Sequence, residues 1–338
     1  MRVLVTGGAG YIGSHTVAVL RQRGDFVVVL DSLELGHREA LGDTPLVVGH
    51  TSDGTLVKQV IGDHRLEAVI HFAAYKAAGE SMQLPAKYFD NNVHGSLCLL
   101  DSARQAGIRR FVFSSTAAVY GTPQSLPVRE DAPLRPENPY GESKLLVEHM
   151  LKWFDACHGL RSVALRYFNA AGAALDGENG EDPRFVQNLI PLVMKAATQR
   201  AAKVSVFGTD YPTPDGTGIR DYIHVLDLAE AHARALDFLA QHDRSEVFNL
   251  GTGHGASVLE VLQAARRASQ VDIPVEIAPR RAGDPAAVWA DNGKARTVLG
   301  WQPRYGLSEI IETAWRWHSR HPDGFLTNPS VGLHGQVS

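Results

Sequence analysis

The sequence is poor in cysteine: Cys98 and Cys157 are the only two in 338 residues. That excludes a disulfide-built scaffold. Both fall in helix-like patterns and read as buried thiols of a reducing compartment. No apolar run approaches the ~20 residues of a membrane span. Neither sign of charge dominates, with 33 Lys+Arg against 37 Asp+Glu and a formal net charge of -4. Without a basic footprint, nucleic acid is not an expected partner, and any anionic ligand must be held by local donors. The histidines, His71 and His224 included, show no metal-ligand spacing with cysteines or carboxylates, so no catalytic metal is expected. There is no internal repeat. Arg2-Val3-Leu4-Val5 enters a strand directly. The expectation is therefore a cytoplasmic protein with no signal peptide.

What the chain does have is a regular alternation over residues 1–168. Short apolar runs at Val3–Val5, Phe26–Leu30, Leu46–Val48, Ala68–His71, Phe111–Phe113 and Val163–Tyr167 are separated by helical patterns at Ser14–Arg23, Leu56–Ile61, Asn92–Ala106 and Ser143–Cys157. Strands apolar throughout and alternating with helices predict an α/β, Rossmann-type doubly wound parallel sheet. From Asn169 the rhythm breaks. Gly172–Asp182 and Tyr211–Gly218 read as long loops over a surface or a site. Helical patterns follow at Leu189–Gln199, Leu226–Leu239, Val258–Ala268 and Ser308–Arg320, with strands at Val247–Leu250 and Val275–Ala278. Residues 169–325 are expected to form a smaller α/β substrate domain, with some of its segments returning to the first, and 326–338 a flexible tail.

The first strand runs into Thr6-Gly7-Gly8-Ala9-Gly10-Tyr11-Ile12-Gly13. Gly7 and Gly10 would let backbone approach a pyrophosphate, and Gly13 would let the helix pack close to the sheet. The pyrophosphate would then meet free N–H groups at a helix N-terminus. Asp31 ends the second strand about 20 residues on, where an acid binds the adenine ribose diol and repels a 2′-phosphate. NAD is favoured over NADP.

The fifth strand ends in Ser114-Ser115-Thr116, at the end of a parallel sheet where ligands bind. Downstream stands Tyr140-Gly141-Glu142-Ser143-Lys144. Residues four apart share a helix face. An ammonium at Lys144 stabilises a phenolate at Tyr140 and lowers its pKa from about 10. The Thr116 hydroxyl would relay a proton or hold the substrate oxygen. Taken alone, Tyr-x-x-x-Lys also describes an ordinary helix start after Asn138-Pro139, and a Ser/Thr run an ordinary strand end. Between the fifth and sixth strands of a dinucleotide fold, they indicate redox chemistry at a carbinol carbon.

These segments, with His71–Ser81, Asp90–Val93, Leu165–Asn169, Asp210–His224 and Pro279–Asp291, resemble the extended short-chain dehydrogenase/reductase family. Within it they resemble the UDP-glucose 4-epimerase group, to about Gly324. The resemblance implies NAD-dependent interconversion of UDP-galactose and UDP-glucose, by oxidation at C4, rotation of the 4-keto sugar and re-reduction. It implies catalytic roles for Tyr140, Lys144 and Thr116. It extends the cofactor site to Tyr11, Ile12, Ser32, His50, Thr51, Phe72, Ala73, Ala74, Lys76, Asn91, Ser114 and Phe168. It places the UDP-hexose on Asn169, Asn188, Leu189, Ser205, Phe207, Arg220, Tyr222, Arg281, Asp284 and Val288. A guanidinium clamps a diphosphate with two parallel bonds, although Arg220 and Arg281 equally suit ion pairs with Asp221 or Asp284, and Tyr222 or Phe207 a core. Relatives pair the helices around Asn92–Ala106 and Ser143–Cys157 across a two-fold axis, which implies a homodimer.

Three positions depart from the family pattern. His50-Thr51 stands where an acid and an aliphatic residue usually meet the adenine. Thr116 replaces a serine and keeps its hydroxyl. Val288 stands where a tyrosine often restricts bacterial members to glucose and galactose, which implies room for UDP-GalNAc and UDP-GlcNAc. A 4,6-dehydratase would need an Asp-Glu pair after Thr116, and Ala117-Ala118 stand there. A net dehydrogenase, a non-catalytic NAD sensor that happens to keep Tyr140 and Lys144, and epimerases of UDP-arabinose or UDP-glucuronate remain as alternatives.

Overall fold

The six apolar runs of the first half pair into one parallel sheet in the computed structural model, which describes residues 1–281 and 283–325. They are β1 (Arg2–Thr6), β2 (Phe26–Asp31), β3 (Leu46–Val48), β4 (Ala68–His71), β5 (Arg110–Thr116) and β6 (Arg161–Tyr167). A seventh strand, Glu246–Leu250, adds to the outer edge of β6, with Phe248 opposite Leu165. Across the sheet the order is Glu246–Leu250, β6, β5, β4, β1, β2, β3. The order reverses at β1, between β4 and β2, and this opens a crevice at the carboxyl ends of the strands.

Alternation along each strand divides the core in two. Val3, Val5, Val27, Val29 and Ile70 face the helices Tyr11–Gln22 and Val225–Gln241, while Leu4, Val28, Leu30 and Val69 face Gly54–Asp63, Gly95–Gln105 and Pro139–His158. The chain therefore crosses between its two parts more than once. The Val225–Gln241 helix and the seventh strand belong to the layers of the seven-stranded sheet, and Trp301, 1 % exposed, joins the same core. The remaining second-half elements have a core of their own. In it the helices Leu189–Ala197, Val258–Ser269 and Leu307–Arg320 bring together Val193, Met194, Val261, Leu262, Ile310 and Ile311.

Several sequence expectations shift. Cys98 is half-buried and Cys157 exposed, so the two thiols are not the buried pair that their helical patterns suggested. The helix expected from Ser143 starts at Pro139, because Asn138 caps it by accepting from Gly141 N at 2.8 Å. Tyr140 thus sits in the first turn. The helix expected from Asn92 opens on a wide π turn, Phe89–His94, before Gly95–Gln105. The expected tail, 326–338, lies outside the described residues. No described helix is long and apolar enough to cross a membrane.

Candidate active site

The glycine-rich turn is shaped by two close approaches. Gly7 has φ +71°, and a Cβ there would lie 2.4 Å from Ala73 N. A Cβ on Gly13 would lie 2.2 Å from Gly7 O. Any side chain at either position would push the helix off the sheet. Gly10 is the N-cap of the Tyr11–Gln22 helix and no side chain caps it, so the leading N–H groups of that helix face the crevice. Asp31, 8 % exposed, accepts from Ala9 N at 2.9 Å and from Leu33 N at 2.9 Å. It braces the glycine turn, and a carboxylate retains lone pairs for a ribose diol. A bare turn, unspent N–H groups and an acid at the end of β2 fit a dinucleotide. Gly7, Gly10, Tyr11, Ile12, Gly13, Asp31 and Ser32 would hold its pyrophosphate and adenosine half.

Phe72 and Ala73 both donate N–H to Thr6 O, at 2.8 and 3.1 Å, which carries Ala74 and Lys76 over the same crevice. Asn91 lies in the π turn and donates to Asn92 Oδ1 at 3.0 Å. Of the unusual His50-Thr51 pair, His50 is exposed and Thr51 is buried against Gly95.

β5 delivers Ser114, Ser115 and Thr116, all under 8 % exposed, to the Pro139–His158 helix. Lys144, 4 % exposed, donates from Nζ to Ser114 O at 2.8 Å. Burial alone pulls its pKa down to about 7. Burial moves the Tyr140 phenol's pKa upward, and the Thr116 hydroxyl and the charge of Lys76 oppose that rise. Lys144 stands one turn along the same helix from Tyr140. Lys76 in turn pairs with Glu181 at 2.6 Å, and Glu181 is held from behind by Trp317, whose Nε1 donates to Glu181 O at 2.9 Å.

The Gly172–Asp182 loop, read from sequence as lying over a surface or a site, is bonded to the helix that follows the glycine turn and to His37. Tyr11 OH donates to Gly172 O at 2.6 Å, Asn179 Nδ2 to Ser14 Oγ at 3.0 Å, and His37 Nε2 lies 2.7 Å from Asp182 Oδ2.

On the second half, Ser205 and Phe207 alternate outward from Val204 and Val206, which are buried. Arg281 stacks over the Phe207 ring at 3.8 Å. Arg220 reaches Asp284 at 3.5 Å, whereas Asp221 is fully buried and accepts from Thr252 and Ala290. Asn188 starts its helix without spending its side chain on the cap, and it and Leu189 stand at that helix's N-terminus. Asn169 Nδ2 donates to Asp221 O at 3.1 Å. Tyr222, 7 % exposed, packs in the second core. Val288 packs against the cluster of Val119, Tyr120, Val128 and Leu145, and Phe168 packs against the same cluster. His71 and His224 are buried structural residues, held between Thr6 and Ser96 and by Leu226 N and Thr313.

Sequence reasoning missed three side chains here. Tyr167 shares a hydroxyl contact of 2.5 Å with Ser114, and its place directly before Phe168 was the available signal. Asn92 bonds both Tyr75 N and Tyr75 O and donates to Ser143 Oγ, which ties the Lys76 loop to the Pro139–His158 helix. Glu181 stood in a loop already marked, but nothing local paired it with Lys76.

Residues 3–251 match the NAD dependent epimerase/dehydratase family. The chain is 48 % identical over 327 residues to a UDP-glucose 4-epimerase of Lactobacillus helveticus, an alignment covering 96 % of this chain and 99 % of that one. Among solved structures it is similar to the UDP-glucose-4-epimerase of Stenotrophomonas maltophila with bound NAD and formylated UDP-arabinopyranose. That similarity has a TM-score of 0.93 and 43 % identity, over 95 % of this chain and 99 % of that chain. It is also similar to the enzyme of Bifidobacterium longum in complex with NAD+ and UDP, with a TM-score of 0.90 and 41 % identity, over 96 % and 100 %.

Proposed function

The chain belongs to the NAD dependent epimerase/dehydratase family, and from that premise we infer that it interconverts UDP-galactose and UDP-glucose. The observation that carries this reading is the helix of Tyr140 and Lys144 bonded through Lys144 to the end of the strand that carries Thr116, in a fold with a turn that fits NAD. When bound, NAD supplies the acceptor and then the donor for the hydride of the sugar's C4. The chain moves the proton. Thr116 holds the sugar 4-hydroxyl and passes its proton to Tyr140, and the same pair returns it once the 4-keto sugar has presented its other face. Lys144, buried beside β5, holds the nicotinamide ribose. Arg220 and Arg281 hold the diphosphate, so that the hexose turns while its UDP stays in place. Ala117 and Ala118 supply no acid or base to eliminate water, which disfavours a dehydratase. Proton NMR of the anomeric region tests this: UDP-galactose should yield UDP-glucose, and a keto-deoxy product would refute the reading.

The substrate range extends to N-acetylated sugars. Val288 is half-buried in the wall that Phe168 shares, and a side chain of its size leaves room for a 2-acetamido group. Val288→Tyr should lower kcat/KM for UDP-GalNAc by more than about tenfold and leave UDP-galactose within about threefold. Equal losses on both sugars would refute that role.

Two copies pair through the helices Gly95–Gln105 and Pro139–His158. Leu97 is 44 % and Trp153 70 % exposed on them, and a two-fold axis buries the same patch twice. Sedimentation equilibrium should give twice the chain mass for the parent and one chain mass for Trp153→Glu. A monomeric parent would refute the pairing. Two free thiols accord with a cytoplasmic placement.

A further inference from the structure

Beneath the proton-transfer residues lies an ion pair that their chemistry does not use. Glu148 and Arg166 are 6 % and 5 % exposed. The pair is bidentate, with Arg166 Nε donating to Glu148 Oε1 at 2.9 Å and Nη2 to Oε2 at 2.5 Å. Ser115 Oγ also donates to Glu148 Oε1, at 2.5 Å. Arg166 Nη1 donates to Tyr120 OH at 2.9 Å, and Tyr120 OH donates to Asn249 Oδ1 at 2.7 Å. Asn249 Nδ2 closes the chain on Val128 O at 2.9 Å. Val128 N donates to Trp289 O at 2.9 Å, one residue from Val288.

A buried pair of this kind is close to neutral for stability when compared with apolar side chains of similar volume. Its location is what distinguishes it. Tyr140, Lys144 and Glu148 stand at i, i+4 and i+8 on one helix and share a face. Lys144 binds the Ser114 carbonyl and Glu148 the Ser115 hydroxyl, so the helix is pinned to consecutive residues of β5 up to the residue before Thr116. Arg166 directly precedes Tyr167, whose hydroxyl contacts Ser114. The helix of Tyr140, the strand of Thr116, the strand of Tyr167 and the Tyr120–Val128 wall therefore meet at one carboxylate–guanidinium pair.

We propose that Glu148 and Arg166 are positioning residues for the epimerisation, which set the Thr116 hydroxyl against the Tyr140 phenol. This rests on the epimerase reading given above. A charged bidentate pair has one geometry, whereas an apolar replacement fills the volume without fixing the register between helix and strand. A misplacement of about 1 Å costs about a hundredfold in rate in such sites.

The test uses the full chain with its bound NAD. The parent's turnover of UDP-galactose is measured first. An inactive parent refutes the epimerase reading and is distinct from any failure of the positioning role. The paired change Glu148→Met with Arg166→Met should keep the parent's melting temperature within a few degrees and its NAD content. Its kcat should fall at least about tenfold with KM within about twofold. Thr116→Ala should lower kcat by about a hundredfold in the parent and by less than about threefold in the paired variant, because the hydroxyl is already out of register. Ser115→Ala leaves the ion pair intact and removes one pin. It should lower kcat several-fold with KM unchanged, and it carries the test if the paired variant does not fold. Parent-like kcat in the variant that folds, or losses that multiply independently with Thr116→Ala, would overturn the proposal.

Discussion

Tyr140→Phe is expected to lower kcat by about three to four orders of magnitude while the purified protein still carries NAD. The phenylalanine keeps the ring and its packing in the first turn of the Pro139–His158 helix, where Asn138 holds the cap. It loses only the hydroxyl that meets Thr116. Among the described residues, the phenol and the carboxylate packed at the end of the same strand, β5, are engaged elsewhere. The Tyr167 hydroxyl is engaged with Ser114, and burial holds its pKa far above the ordinary value. The Glu148 carboxylate is engaged by Arg166 and Ser115. KM for UDP-galactose should stay within about threefold, since a group acting mainly in the transition state lowers kcat and kcat/KM together. Steady-state kinetics with NAD content measured on the same preparation checks this. Activity within tenfold of the parent would remove Tyr140 from the proton path.

The second large effect concerns the turn before the first helix. Gly13→Val should leave a folded protein with at least about tenfold less bound NAD, and turnover should fall with it. A Cβ at this position lies 2.2 Å from Gly7 O, a backbone atom that is itself fixed by Gly7's approach to Ala73. The helix must slide away, and the N–H groups that face the crevice move with it. Overpacking of this kind costs about 1–3 kcal/mol. Gly62→Ala, on the Gly54–Asp63 helix, is the contrast. Its Cβ would meet nothing within 4 Å, so the NAD should remain. Nucleotide released by heating and quantified per chain, with circular dichroism as the control for folding, separates the two variants. Equal NAD in Gly13→Val and parent would contradict the steric account.

The features legible in the sequence were those written locally. Gly7, Gly10 and Gly13 announce a turn because their spacing is that of one strand-to-helix connection. Tyr140 and Lys144 announce a shared face because four residues make about one helical turn. The apolar runs β1 to β6 declared a parallel sheet by being buried on both faces. What escaped depends on partners far along the chain. Lys76 meets Glu181 across 105 residues, a pairing that no local pattern announces. The strand Glu246–Leu250 was visible as a strand, but its place beside β6 is a matter of topology. Tyr222 and Phe207 looked alike as aromatic residues near a nucleotide sugar. The structure sends one into the second core and leaves the other under Arg281. Cys98 and Cys157 show the same limit in reverse, since a helical pattern does not say which helix face is covered.

The central claim is that one proton pair, Thr116 and Tyr140, serves both halves of a reaction whose hydride leaves and re-enters the same carbon. The most direct measurement supplies UDP-galactose deuterated at C4 to the purified protein, with no added nicotinamide, and follows the product by mass and by NMR. The account predicts UDP-glucose that keeps its deuterium at C4, with no accumulation of reduced nicotinamide beyond the amount of enzyme. Loss of the label to solvent, or a stoichiometric release of reduced nicotinamide with a keto product, would contradict it.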